Sequence, residues 1–77
     1  MSRKLAGVNG RQIVKALQRG GYEVIRLSGS HHVMRNPKVP TSKVIVPVHG
    51  SKDLPPGTVA SILRQAGLTI EEFASLL

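Results

Sequence analysis

The spacing of apolar residues predicts three helices, one near the start of the chain and two at its end. The first follows Asn9, its predicted N-cap, and ends at a glycine pair. The second is predicted to run from a capping Thr58 to Gly67. Thr69 and Glu72 form the capping box of a short third helix. The apolar stripes of the three helices are Ile13, Val14 and Leu17; Val59, Ile62, Leu63 and Ala66; and Ile70, Phe73, Ala74 and Leu77.

Three strands are predicted between the first and second helices, because β-forming residues cluster there. A turn at Gly29-Ser30 separates the first two strands, and Pro37 ends the second. A loop over residues 37–42 precedes the third strand. Pro47 within that strand has no N–H to donate, which predicts an edge position or a bulge. The predicted strands are residues 22–27, 31–36 and 43–49.

This order of elements predicts an α+β fold, α-β-β-β-α followed by a short helix, with a three-stranded antiparallel sheet. We expect the helices to pack on one face of the sheet and the other face to stay open. A chain of 77 residues is long enough for one small domain with a modest core. We therefore expect a single domain over residues 1–77, with residues 1–8 frayed.

The charge balance favours a polyanionic partner. Eleven lysines and arginines stand against four acidic residues, which gives a net charge of +7. Nucleic acid is favoured over a membrane, since the chain has neither a signal-peptide pattern nor an apolar run of about 18 residues. The alternative is an ordinary solvated basic surface. We expect a cytoplasmic protein with no membrane interaction.

Two features of the composition narrow the chemistry further. The absence of cysteine excludes disulfides, thiol catalysis and zinc sites built from cysteine. The aromatic residues are Tyr22 and Phe73, and Phe73 belongs to a helical stripe. A module that stacks bases on an aromatic platform is therefore disfavoured.

Adjacent histidines, His31 and His32, open the predicted second strand. Neighbouring strand residues point to opposite faces, so the two cannot share one site, and both can equally be incidental polar residues. A zinc site is disfavoured because it needs three or four ligands, and His49 and Asp53 are the nearest additions. Nothing around Ser30 suggests a serine nucleophile. Proton transfer by an imidazole, which titrates near neutral pH, remains as the candidate chemistry.

Three stretches in the same order resemble the HicA family of mRNA-interferase toxins, the ribonuclease half of HicA–HicB toxin–antitoxin pairs. They are GSHHVMRNP from Gly29, VIVPVHGSKDLPPGT from Val44 and SILRQAGLT from Ser61. The resemblance covers Asn9 to about Leu68. It implies a fold like that of double-stranded-RNA-binding domains, a catalytic histidine on the second strand, an mRNA substrate and a HicB-like antitoxin partner.

By position, the resemblance assigns the catalytic role to His31, which follows Gly29-Ser30. The family also shows glycine-serine-x-histidine, and that spacing assigns the role to His32. His49 matches a recurrent histidine of the family. The resemblance does not decide between a structural role at the strand end and a catalytic role for it. We expect metal-independent cleavage in which the RNA 2′-hydroxyl attacks its own phosphate, without a cofactor. The alternative is a non-catalytic RNA-binding or interaction module of the same fold.

Several residues are candidates for holding the RNA or shaping the site. Gly29 is expected to permit the tight turn, with space for a phosphate as the alternative. Gly57 is expected to lie at the start of the second helix. The free N–H groups at that helix start are expected to be capped, with phosphate binding as the alternative. Binding to duplex RNA is disfavoured, because the helix start has no lysines. The candidate RNA contacts are Arg26, Ser30, Arg35, Lys43 and Lys52.

Overall fold

The computed structural model describes residues 5–77, apart from the side chain of Pro40. Its element order confirms the predicted α+β fold of three helices and one three-stranded antiparallel sheet. No helix of residues 5–77 is long and apolar enough to cross a membrane. The elements are α1 Gly10–Arg19, β1 Glu23–Ser28, β2 His31–Asn36, β3 Val39–Pro47, α2 Pro56–Ala66 and α3 Ile70–Leu76.

The sheet has the strand order β1-β2-β3, so β3 is an edge strand, with Pro47 as its last residue. The predicted edge position of this proline is confirmed. The strand starts at Val39, whereas a loop was predicted over 37–42. The turn is short because the Asn36 side chain accepts from the Lys38 N–H and the Ser42 hydroxyl accepts from the Asn36 N–H, both at 2.9 Å.

One apolar core lies between the sheet and the helices. Met34 of β2 and Val44 and Val46 of β3 are fully buried in it, so these residues define the covered face of the sheet. Leu5 and Val8 also belong to the core, and the N–H of Leu54 donates to the Val8 carbonyl at 2.8 Å. Leu5 and Val8 are thus packed against the domain, whereas residues 1–4 of the segment expected to fray lie outside the described residues.

The predicted caps of α1 and α3 are confirmed. The Asn9 side chain accepts from the Gln12 N–H at 2.9 Å, and the Gln12 side-chain oxygen accepts from the Asn9 N–H at the same distance. Thr69 and Glu72 form the same reciprocal pair. Gly67 ends α2 in the left-handed conformation with φ of +70°.

The start of α2 and the last residue of the chain differ from prediction. The helix begins at Pro56 rather than after Thr58, because a proline in the first turn has a suitable φ and no N–H to satisfy. Pro55 is the N-cap, and its carbonyl accepts from the Thr58 N–H at 2.9 Å. Leu77 is exposed, and Leu76 packs against the core instead.

Candidate active site

His31 and His32 follow a two-residue hairpin turn and lie on opposite faces of the sheet. Gly29 is the first turn residue and has φ of +59°, and no non-glycine residue of the described chain has a positive φ. This matches a type II′ turn, which places glycine first. Along β2, His31 shares the open face with Val33, and His32 shares the covered face with Met34.

A basic pocket surrounds His31 on the open face. Cross-strand pairing aligns Arg26 with Val33, and Ser28 with His31. Lys43 of β3 completes the charged part of the lining. Ser28 was not predicted from sequence, because its proximity to His31 follows from the strand register. The whole lining is Arg26, Ser28, His31, Val33, Lys43 and Ile45.

A β-bulge gives Arg26 its direction. The pairing of β1 with β2 slips between Val24 and Arg26, which leaves Ile25 as an extra residue. Val24 packs against the core, whereas Arg26 lines the pocket on the open face. Regular alternation would have placed both side chains on one face. The bulge is therefore what brings the Arg26 guanidinium to the side of the sheet that carries His31.

A second groove also has His31 in its wall, on the side of the sheet edge and α2. Thr58, Ser61 and Gln65 line it from the helix, where their spacing places them on one face. The side-chain oxygen of Gln65 accepts from the backbone N–H of Ile45 at 3.4 Å. Sequence reasoning missed these polar residues as site residues; their helical spacing was the available signal. The other lining residues are Ile45, Pro47, Gly57 and Ile62.

His32 has different surroundings. Its side chain is half-buried in a groove against α1, where Arg11, Lys15 and Gln18 line the opposite wall. Its Nδ1 atom is buried and has no hydrogen-bond partner within the described residues. The imidazole of His31 is exposed, whereas that of His32 packs between the sheet and the first helix.

The remaining predicted residues do not gather around His31. Arg35 lies in a groove with Glu23, its cross-strand partner. His49 and Lys52 line another groove, in the loop before α2. Across residues 5–77, no three His, Cys, Asp or Glu side chains are grouped as metal ligands are.

Ser30 and the two predicted glycines differ in what they do. The Ser30 carbonyl accepts from the Val48 N–H at 2.7 Å, which ties the hairpin turn to the chain after β3. Gly29 has the positive φ expected of a turn glycine, and a Cβ there would meet no atom within 4 Å. Gly57 lies in the first turn of α2, near the helix start as expected, and it has no positive φ, so its backbone does not require glycine.

Fold and site together define a small basic α+β domain that exposes one histidine beside arginine and lysine on the open face of its sheet. Residues 10–68 match the family model described as the HicA toxin of bacterial toxin–antitoxin systems, so the chain belongs to the HicA toxin family. Toxins of this family are generally endoribonucleases paired with a HicB-like antitoxin. A search among curated proteins gave no match.

Proposed function

We propose that this toxin is an endoribonuclease that cleaves mRNA in the cytoplasm, with His31 as its general acid or base. One observation carries the proposal: the exposed imidazole of His31 lines both the basic pocket and the second groove, beside α2. A phosphate held in the pocket would therefore lie next to a group able to move a proton. Such proton transfer accelerates reactions by about 10²–10⁴-fold.

The reaction is a transesterification within the RNA strand. The 2′-hydroxyl oxygen attacks the adjacent phosphorus, a new P–O2′ bond forms, and the P–O5′ bond breaks. One proton leaves the 2′-oxygen and one is delivered to the departing 5′-oxygen. His31 carries out one of these transfers and solvent the other. The products are a 2′,3′-cyclic phosphate, which water can open to a 3′-phosphate, and a free 5′-hydroxyl.

Arg26 and Lys43 support this chemistry through their charge. Negative charge accumulates on the phosphoryl oxygens as the 2′-oxygen attacks, and cationic side chains in the same pocket stabilise it. Ser28 adds a hydroxyl that can bond a phosphate oxygen. Arg35 and Lys52 lie in other grooves, so we assign them to general attraction of the RNA.

We assign catalysis to His31 rather than His32 because of their surroundings. A general acid or base must reach the reacting oxygen directly or through one water. His31 is exposed to an incoming strand, whereas His32 is half-buried against α1. His49 lies in the groove that Lys52 lines, so we give it no catalytic role.

We further propose that a HicB-like antitoxin inhibits the toxin by covering the open face. That face combines Arg26 and Lys43 with the exposed apolar side chain of Ile45. An antitoxin surface that is acidic where it touches would be attracted quickly, and apolar contacts would supply affinity. Covering His31 would block catalysis sterically.

The proposed function is tested by the chemistry of cleavage. An RNA oligonucleotide is mapped for cut positions, and a second copy carries a 2′-O-methyl group at the nucleotide before the main cut. We expect this cut alone to disappear, because the attacking hydroxyl is blocked, and we expect EDTA to leave the rate unchanged. Cleavage at the methylated position, or a 5′-phosphate on the downstream product, would contradict the mechanism. Binding without any cleavage would favour the non-catalytic RNA-binding module.

A further inference from the structure

The groove between β3 and α2 has a lining unlike that of the basic pocket. Among its wall residues, His31 is the one side chain that can carry charge. Thr58, Ser61 and Gln65 contribute hydroxyl and amide groups, and Ile45 and Pro47 contribute apolar surface. The groove is open to solvent and has a volume of about 370 Å³. That size lies within the range of about 300–1,000 Å³ that is usual for small-molecule sites.

This combination suits a nucleobase better than a phosphate. A base presents flat apolar faces and an edge of hydrogen-bond donors and acceptors, whereas a phosphate calls for cations or several N–H groups. The aliphatic walls replace the aromatic stacking that the chain cannot supply, since Tyr22 and Phe73 are both buried. The basic pocket adjoins this groove, since His31 and Ile45 line both, as expected if it holds the phosphate of the same nucleotide.

One hydrogen bond orients the exposed side chain of Gln65 in this groove. Its side-chain oxygen faces the backbone N–H of Ile45, which can only donate. The amide nitrogen is therefore the end of the side chain that remains for a ligand, and it can only donate. An edge strand normally leaves such an N–H to solvent, so this bond both protects the edge of β3 and orients the Gln65 side chain.

We propose that this groove is a base-recognition subsite that holds one unstacked nucleobase next to the scissile phosphate. Gln65 donates from its amide nitrogen to an acceptor on the edge of the base, and Ser61 contributes its hydroxyl. The inference rests on the proposed function for the identity of its ligand as RNA. Through Gln65 and Ser61, the toxin would then discriminate between bases.

The test measures binding, which separates this inference from the catalytic proposal. Fluorescently labelled 2′-O-methyl octamers of adenosine, cytidine and uridine carry the same number of phosphates, so differences in their affinities report the bases. We expect the toxin to bind the three octamers with affinities that differ by about fivefold, the value of one hydrogen bond. The Gln65→Met variant should bring them within about twofold of each other.

Gln18→Met is the matched control, because Gln18 is an exposed glutamine of α1 on the covered side of the sheet. It should retain the full difference between octamers. Ser61→Ala provides a second variant in the groove and should reduce the difference in part. Equal affinities of the wild-type toxin for all three octamers, or an undiminished difference in Gln65→Met, would overturn the proposal. A toxin that discriminates between octamers without cleaving RNA would refute the proposed function and leave the subsite standing.

Discussion

Gly10 permits the close packing of α1 against the end of β3, and its replacement by alanine should destabilise the toxin. Gly10 is buried, and a Cβ at this position would overlap the Pro47 carbonyl oxygen and lie 2.9 Å from Cα of Val48. Both obstacles are backbone atoms, which cannot rotate away as a side chain can. Relief therefore requires the helix start to move away from the sheet.

Two opposing effects set how much Gly10→Ala changes the free energy of unfolding. Alanine favours a helix over glycine by at most about 1 kcal/mol, and less in a first turn such as this one. Overpacking a tight site typically costs about 1–3 kcal/mol. Since the overlap here involves backbone, we expect the cost to exceed the gain and the free energy of unfolding to fall by about 1–2 kcal/mol. In a domain of this size, 1 kcal/mol lowers Tm by about 4–8 °C.

Gly57→Ala is the control for this prediction. Gly57 also lies in a first helical turn, but a Cβ there meets no atom within 4 Å. We expect the free energy of unfolding of the Gly57→Ala variant to equal that of the wild type or to exceed it by up to about 1 kcal/mol. Urea denaturation of both variants, followed by circular dichroism at 222 nm, gives the comparison. A Gly10→Ala variant as stable as Gly57→Ala would show that the packing argument is incorrect.

Two further predictions concern the fold and its control. Tyr22→Phe removes the hydroxyl that donates to the Ala66 carbonyl at 2.8 Å, so unfolding should become easier by about 1 kcal/mol in the same urea assay; an unchanged midpoint would contradict a role for this bond. A complex with a HicB-like antitoxin should protect His31 from diethyl pyrocarbonate and abolish cleavage at equimolar ratio. A complex with reactive His31 and unimpaired cleavage would show that inhibition does not act by covering this histidine.

The sequence predicted best those features that depend on a few neighbouring residues. The N-cap at Asn9, the capping box at Thr69 and the end of α2 at Gly67 are local, because each bond closes within three or four residues. The same local rule failed at Thr58. There, Pro56 starts the helix earlier and Pro55 occupies the N-cap position, so Thr58 lies within the first turn and cannot be the N-cap. Competing local signals were thus the source of that error.

Features that depend on strand pairing were not predictable from the pattern of residues. The bulge at Ile25, which turns Arg26 to the open face, exists only relative to β2. Alternation predicted that His31 and His32 face opposite ways. It did not indicate which one faces solvent, because that depends on which side of the sheet the helices cover. The groove that Gln65 lines requires α2 to lie along the edge of β3, which is a tertiary arrangement.

The rate of RNA cleavage by the purified His31→Ala and His32→Ala variants tests the central claim most directly. Both are measured on one RNA at a temperature at which circular dichroism shows each variant folded. We predict that His31→Ala loses about 10²–10⁴-fold in rate with an unchanged spectrum, because its exposed side chain contributes little packing. His32→Ala should keep its rate and lose stability. Full activity of His31→Ala together with an inactive, folded His32→Ala would contradict the assignment of His31. The catalytic histidine would then be His32, on the face that α1 covers.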